Sequence, residues 1–342
     1  MKWYSKYAFL WSILIIVVFS IAFSKSNFSR QQNNIIKADF YCATEQWDKA
    51  ISVIKAEPQY NIMLNFFYNR AIDNLGVYTD KYFDYPQLIG TYGIYPDLLD
   101  YDMLYMFYSD YYFDLGYISE SQKWAFKYLS KYPFCARTLQ RLVQTHLIAG
   151  DYKIARKMLT ILDKNLISKD FVQKYSDFVN DTTLIDKDPL LLNKRAQMPV
   201  NMLTPIKMED KLLDLLEKNK ENKSAYEHLQ MYYLLNHEFG GFMKYLPDAK
   251  RFYSSLPTVF EEALFIIATK QKTDFSNYNI KVSSKQEFND FWKTMNSYGN
   301  NLKVAQAKLQ PFKNTLYYYI LFDSPKVTNK KPAKVTGDEY GH

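Results

Sequence analysis

Two carboxylates, Asp110 and Asp114, stand four residues apart beside Tyr111 and Tyr112. On a helix this spacing places both side chains on the same face. A carboxylate pair among aromatic rings can bind a sugar or a cation, and a pair that flanks a cleft can hydrolyse a glycosidic bond. The alternative is that the two form the one solvated stripe of a helix that is otherwise buried. The apolar sequence of residues 101–115 favours this second interpretation.

The other side chains that could act in catalysis or bind a metal show no functional spacing. Glu261 and Glu262 are adjacent, so on a helix they point about 100° apart and cannot share one substrate. No histidine is spaced from a cysteine or a second histidine as metal ligands are, and no glycine-rich phosphate loop or G-x-S-x-G motif occurs. We therefore predict no catalytic residue, no metal and no cofactor; the sequence favours a protein that is not an enzyme and leaves enzymatic activity open. The histidines are His146, His228, His237 and His342.

The composition favours a helical fold with a sizeable core. Of 342 residues, 48% are apolar, while glycine (10) and proline (12) are too scarce for a turn-rich all-β fold. Aromatic residues reach 18%, either as general core fillers or as the lining of a binding groove. The net charge of +7 is modest, and no helix shows a basic stripe interleaved with aromatic residues, so nucleic-acid binding is not expected.

The first thirty residues predict a membrane anchor. Residues 7–23 form an apolar run, about 25 Å long as a helix, with Lys2 and Lys6 before it and Lys25 after it. The run is short for a membrane span but long for a signal-peptide core, and its bulky residues favour an uncleaved anchor. We expect a single-pass inner-membrane protein whose C-terminal part lies in the periplasm. The alternative is secretion to the periplasm after cleavage.

A recurring glycine predicts tetratricopeptide-like helical hairpins. Gly116 and Gly150 are 34 residues apart, and each lies between an apolar helix and a second helix that begins near Ile118 or Tyr152. A third copy occurs at 47–58, and a weaker fourth copy occurs at 75–78. Since one hairpin cannot bury its own apolar face, several must stack. The predicted fold is therefore all-α, an N-terminal membrane helix followed by an α-solenoid of tetratricopeptide-like helical hairpins.

Prolines and glycines set the predicted domain boundaries. After the anchor (1–30) we expect helical repeats (31–180), a proline-containing connector (181–205), C-terminal helical repeats (206–323) and a disordered basic tail (324–342). The three prolines of the connector are expected to break any helix there.

Shorter segments also lead to specific expectations. The segment 83–98, with two prolines and two glycines, is either a plain connector or the rim of a binding site. Ser283 or Ser284 can cap the helix that holds Phe288, and 316–322 is predicted to be a terminal helix. Cys42 and Cys135 lie in different predicted hairpins, so we expect free, buried thiols; one long-range disulfide is the alternative.

Four strings carry a resemblance to a known family. They are RLVQTHLIAGDY (141–152), DPLLLNKR (188–195), ENKSAYEHLQMYYLL (221–235) and LPTVFEEAL (256–264). In order and spacing they resemble an uncharacterised family of Bacteroidales membrane proteins, a domain-of-unknown-function family whose soluble half is tetratricopeptide-like. The similarity covers roughly residues 38–270 of this chain. Longer members carry several membrane helices ahead of this half, whereas one is expected here. The resemblance implies architecture and compartment, and no functional residue.

Function is predicted from the concave face that stacked hairpins present. Such a face suits an extended peptide or a partner helix, so we expect a scaffold that binds a protein or peptide at the cell envelope. The alternative is a glycan-binding or glycan-processing envelope protein that uses an aromatic groove with Asp110 and Asp114. The residues predicted to contact a partner are Tyr105, Tyr108, Tyr112, Arg141, Gln144, Tyr92 and Tyr95.

Overall fold

A computed structural model shows an all-helical chain, with no strand among the residues that it describes. The chain divides into two compact units, Met1–Leu75 and Gly76–His342. The structure describes residues 2–27, 30–94, 102–199, 204–271, 275, 278, 280–298 and 301–325.

The first unit packs three short helices around small side chains. Ala38, Ala50 and Ala71 are fully buried, which lets the helix axes approach one another closely. Asn61 caps the third of these helices by accepting the backbone N–H of Met63 over 2.8 Å. The helices of this unit are α1 (Lys2–Asn27), α2 (Arg30–Ala43), α3 (Trp47–Lys55) and α4 (Ile62–Asn74).

Helix α1 is continuous, and its side chains at 7–20 are exposed although almost all are apolar. As far as the helices are described, none is at once long enough and apolar enough to cross a membrane.

The second unit contains the remaining helices. Its α-helices are α5 (Tyr78–Lys81), α6 (Tyr105–Leu115), α7 (Ile118–Lys131), α8 (Ala136–Ala149), α9 (Tyr152–Leu162), α10 (Lys169–Asn180), α11 (Pro189–Gln197), α12 (Met208–Lys218), α13 (Lys223–Leu235), α14 (Phe239–Tyr245), α15 (Thr258–Gln271), α16 (Val282–Ser297), α17 (Leu302–Lys308) and α18 (Leu316–Tyr318). Short 3₁₀ turns join several of them, at Tyr82–Asp84, Gly90–Gly93, Asp102–Leu104, Leu166–Ser168, Thr182–Lys187, Leu246–Arg251 and Gln310–Phe312, and a π-turn, Tyr319–Asp323, follows α18. The helix predicted over 316–322 is therefore confirmed, with a change of helix type inside it.

Helices α6 to α10 form consecutive hairpins, each packed on the next. Gly116 ends α6 and Gly150 ends α8, with φ of +88° and +86°. At both ends the residue after the glycine donates its backbone N–H to the carbonyl five residues earlier, over 2.8 Å. This is the Schellman motif, which needs a left-handed residue and therefore favours glycine. The repeated turn that the 34-residue spacing predicted is present.

The same turn motif recurs at two sites that have no glycine. Glu45, between α2 and α3, has φ of +57°, and His237, between α13 and α14, has φ of +59°. In each case the next residue again donates to the carbonyl five residues earlier, over 2.8 Å. Helical hairpins therefore extend beyond the two glycine-marked copies.

The predicted connector 181–205 contains helix α11 and lies inside the second unit. The expectation that its prolines exclude a helix was wrong for Pro189, which occupies the first position of α11. Asp188 is the N-cap and accepts the Leu191 N–H over 3.0 Å. Proline is tolerated at the first turn because its missing N–H has no partner within the helix there.

Two buried carboxylates on α15 hold the C-terminal helices. Glu261 accepts the Ser284 hydroxyl over 2.5 Å at the start of α16, and Glu262 accepts the Leu316 N–H over 2.7 Å at the start of α18. Ser284 thus binds a side chain of another helix, and the prediction that it caps α16 was wrong. The two carboxylates serve different partners, as their adjacent positions implied.

Both cysteines are free thiols. Cys42 is buried, whereas Cys135 is half-buried, so the expected burial holds for the first alone. Residues 326–342 of the predicted basic tail, and Tyr95, lie outside the described residues.

Candidate functional site

Asp110, one half of the carboxylate pair, is buried and bound by two arginines from α8. Arg141 Nη2 lies 2.8 Å from one carboxylate oxygen, and Arg137 Nη2 contacts the other. The Arg141 guanidinium also lies 3.7 Å from the centre of the Phe113 ring. The expectation that Asp110 belongs to a solvated stripe was wrong, because two cations on the next hairpin make its burial favourable.

Asp114 does not complete a carboxylate site with Asp110. Its backbone carbonyl accepts the Lys194 ammonium group from α11, while its side chain is half-buried. Asp110 is engaged by arginines, so a sugar or cation would have to displace both guanidinium groups to reach it. The glycan hypothesis therefore needs other carboxylates.

Two of the tyrosines predicted to contact a partner, Tyr105 and Tyr108, are core residues. Tyr105 and Tyr108 pack their rings on Trp124 of α7, with ring centres 5.4 and 4.8 Å away. Lys127 lies over Tyr105, 4.8 Å from its centre. Both tyrosines are buried, so the surface between α6 and α8 does not present them.

Tyr112 belongs to a buried ionic network that the sequence did not reveal. Its hydroxyl is 3.1 Å from Nζ of Lys211 on α12, which lies 3.4 Å from the Glu120 carboxylate on α7. Trp124 donates its ring N–H to the same carboxylate over 3.2 Å. Lys211 and Glu120 are almost fully buried, so each supplies the charge that the other needs in the interior. The network ties α12 to the α6–α7 hairpin.

The remaining predicted contact residues are more accessible. Arg141 and Gln144 are half-buried, and Arg141 donates to the Gln144 side chain over 3.2 Å. Tyr92 is half-buried on the 3₁₀ turn of the 83–98 segment. A partner role for these residues stays a prediction.

Helix α11 binds the C-terminal ends of both glycine-closed helices. Lys194 donates to the Asp114 carbonyl at the end of α6. Arg195 donates to the carbonyls of Leu147 and Ile148 at the end of α8. Cations are favourable there because the last carbonyls of a helix have no partner within it. Adjacent residues of α11 thus hold two successive hairpins in register.

The described histidines have structural partners. His146 is buried, with Nδ1 3.3 Å from the Asp151 carboxylate, and burial lowers the pKa of the ring although Asp151 opposes that effect. His228 stacks on Tyr78 with 4.1 Å between ring centres. Over the described residues, no three His, Cys, Asp or Glu side chains are grouped so that they could hold a metal ion.

An open cavity of about 360 Å³ lies among α12, α13, α14 and the turn Leu246–Arg251. The buried Tyr226 ring lines it, packed on the half-buried Phe252 at 4.9 Å between ring centres. Burial raises the pKa of Tyr226 above its ordinary value, and its hydroxyl donates to the Tyr245 backbone carbonyl over 3.3 Å. The residues that line the cavity are Leu213, Leu216, Glu217, Lys220, Tyr226, Tyr245, Asp248, Arg251 and Phe252.

Charged groups of both signs lie next to this aromatic surface. Arg251 pairs with Asp248 at 3.1 Å, and Glu217 and Lys220 are exposed on α12 and the turn after it. An aromatic surface with charges at its edge is typical of sites that anchor a side chain or a sugar ring. Sequence reasoning missed this cavity because its residues come from separate helices. The one available signal was the aromatic density of 221–253.

The described residues define an all-helical protein built from packed hairpins, with no group of side chains among them that could hold a metal ion. Residues 1–323 match the family of unknown function DUF6057, and the chain belongs to that family. No curated protein and no solved structure matches the chain.

Proposed function

We propose that this protein is an envelope scaffold that binds a protein or peptide partner and is held at the inner membrane by its N-terminal helix. The observation that carries the binding proposal is the open aromatic cavity beside α12, α13 and α14. A cavity of this size accepts one or two side chains of a partner, and Arg251 and Glu217 can pair with charges next to them. Stacked hairpins give the cavity a rigid frame.

The anchor proposal rests on residues 7–23 and on the exposure of the apolar side chains of α1. A helix of 26 residues is about 39 Å long, and its side chains at 7–20 are exposed. We propose a single pass with the C-terminal part in the periplasm; secretion after cleavage is the alternative. Alkaline extraction of membranes and protease access from the periplasmic side separate the two.

Site-specific photo-crosslinking in the native host tests the partner proposal. A photoreactive phenylalanine at Phe252 is expected to capture one defined protein, and the same residue at Phe126, an exposed position on α7, is the control. The captured protein is then purified, and its affinity for the full chain is compared with that for a Leu216→Arg variant. Equal capture at both positions, or unchanged affinity, would contradict the proposal.

A glycan ligand is the second candidate. The same cavity combines the aromatic rings of Tyr245 and Phe252 with the carboxylates of Glu217 and Asp248, a combination that suits a sugar ring. In this candidate Glu217 and Asp248, and not Asp110 and Asp114, contact the sugar. A glycan array probed with the full chain, with Phe252→Ala as the control, is the direct test, and the absence of any hit that depends on Phe252 would exclude this candidate.

A further inference from the structure

Two adjacent aliphatic side chains protrude from the turn that joins α9 to α10. Leu166 is 85% exposed and Ile167 is 93% exposed. The turn itself is held in place: Asn165 accepts the Ile167 N–H over 2.9 Å, and Lys169 binds the carboxylate and carbonyl of Asp163. A structured turn therefore holds two apolar side chains in water. This arrangement is unfavourable, and burial in an apolar environment would relieve it.

The outer side of α9 continues this apolar tip. Ile154 and Ile161 are seven residues apart and each is 38% exposed, so they lie on the same side of the helix. Lys157 and Lys164 follow each isoleucine by three residues and are exposed beside them. In the described part of the chain neither lysine has a carboxylate partner. The face is therefore both apolar and cationic.

The helices around this face are strongly basic. Residues 127–174 hold ten lysines and arginines against three aspartates and no glutamate, an excess equal to the net charge of the whole chain. These cations are distributed over α7, α8, α9 and α10, so no single helix shows a basic stripe. Four of these cations pair with carboxylates outside this range, namely Lys131, Arg137, Arg141 and Lys174. The charge on the outer face of α9 therefore comes from the exposed Lys153, Lys157 and Lys164.

The neighbouring turn repeats the pattern at the same end of the array. Phe134, between α7 and α8, is 80% exposed with φ of +69°. Since α8 and α9 form one hairpin, the turn before α8 and the turn after α9 lie at the same end of it. Apolar side chains therefore protrude from two adjacent turns of the stack.

We propose that the outer face of α9, together with the Leu166–Ile167 turn, docks on an anionic lipid surface. Both residues protrude from a convex turn, and a bilayer interface accepts such a protrusion without a matching pocket. The aliphatic side chains would lie among the acyl chains while Lys157 and Lys164 extend to the phosphate groups. A nucleic acid is less suited, because leucine and isoleucine can neither stack on bases nor hydrogen-bond to them.

Docking would hold helices α7 to α10 against the bilayer, whereas an N-terminal anchor alone would leave them free to move away from it. Docking of this turn and membrane insertion of α1 are measured separately. Added vesicles test whether the turn docks, and alkaline extraction tests whether α1 is an anchor. Failure of one therefore leaves the other testable.

The test uses the full chain with an environment-sensitive fluorophore at Ile167→Cys, in a Cys42→Ala and Cys135→Ser background. Vesicles contain phosphatidylcholine with or without phosphatidylglycerol, and brominated acyl chains serve as the quencher. We expect a blue shift and quenching with the anionic vesicles alone. The same label at Glu221→Cys, an exposed residue in another hairpin turn, is expected to remain in water.

Charge reversal separates electrostatic attraction to anionic lipids from nonspecific adsorption to vesicles. The set Lys153→Glu, Lys157→Glu and Lys164→Glu is expected to reduce the quenched fraction about tenfold or more. A matched set with the same change of net charge on other exposed lysines, Lys218→Glu, Lys250→Glu and Lys285→Glu, should have a much smaller effect. A label at 167 that stays in water on anionic vesicles, or equal effects of the two sets, would overturn the proposal.

Discussion

Arg195 donates its Nη2 proton to the carbonyl oxygen of Leu147 over 2.9 Å, which links helix α11 to the last turn of α8. Its Nε donates to the Ile148 carbonyl over 3.1 Å. One residue earlier, Lys194 does the same for α6. The stack is thus stabilised by charge at its helix ends as well as by apolar packing between its helices.

Removing the Arg195 contacts should loosen this linkage. Arg195→Ala leaves two carbonyls without their charged donor, and we expect the free energy of unfolding to fall by about 2 kcal/mol. Arg195→Lys keeps the charge but loses the two-point geometry, so its loss should be smaller. Urea denaturation measures both. Lys187→Ala, at a nearby exposed position, should change stability by no more than about 0.5 kcal/mol.

The two repeat glycines should differ in their sensitivity to alanine. A Cβ at Gly150 meets no atom within 4 Å, so Gly150→Ala adds mainly the backbone strain of a left-handed residue, about 1 kcal/mol. A Cβ at Gly116 would lie 2.6 Å from Cβ of Gln197, so Gly116→Ala should lose about 1–3 kcal/mol more. Thermal unfolding of both variants gives the comparison.

A double variant separates strain from the clash. Gln197→Gly removes the clashing Cβ and should recover part of the loss in Gly116→Ala, but none in Gly150→Ala. Equal losses for the two alanine variants would contradict the close approach of α11 to the end of α6.

Sequence reasoning found those elements whose signal is local. Gly116 and Gly150 specify left-handed turns by their own chemistry, so their spacing predicted the hairpins. The turns at Glu45 and His237 have the same geometry, but there the surrounding helices impose it, and no residue type marks it. The turns could therefore be predicted only where glycine marks them, whereas the copy at 47–58 was predicted from the residue pattern of helix α3.

Contacts between distant segments were not predictable in this way. Ser284 has the local sequence of a cap, yet its hydroxyl binds Glu261, because a buried carboxylate needs a donor more than an exposed helix end does. Lys211 and Glu120 are 91 residues apart and look like ordinary surface charges in the sequence. Their pairing depends on how α12 packs, which periodicity does not encode.

The Lys211–Glu120 pair gives a third prediction. Lys211→Met leaves the buried Glu120 with Lys123 as its remaining cation, so we expect a loss of about 1–3 kcal/mol in the free energy of unfolding. Glu120→Gln in the same chain removes the unpaired charge and should restore part of this stability. A double-mutant cycle by urea denaturation measures the coupling, and strictly additive losses would show that the two groups do not interact.

Glu262 gives a pH dependence whose sign follows from its burial. Burial raises the pKa of its carboxyl from about 4.5 to about 8, although the Leu316 N–H opposes this. Between these pH values the folded chain keeps a proton that the unfolded chain has released. The free energy of unfolding therefore falls as pH rises from about 4.5 towards 8.

Glu262→Gln should remove this loss, because glutamine is neutral at every pH and still offers an oxygen to Leu316. We expect the variant to match the parent chain in melting temperature near pH 5 and to exceed it increasingly towards pH 8. As a control, Glu221→Gln changes an exposed residue, and it should change the melting temperature by the same amount at pH 5 and at pH 8. A constant difference across this range would mean that Glu262 is already ionised in the folded protein, and that α18 is held by a carboxylate whose burial other cations compensate.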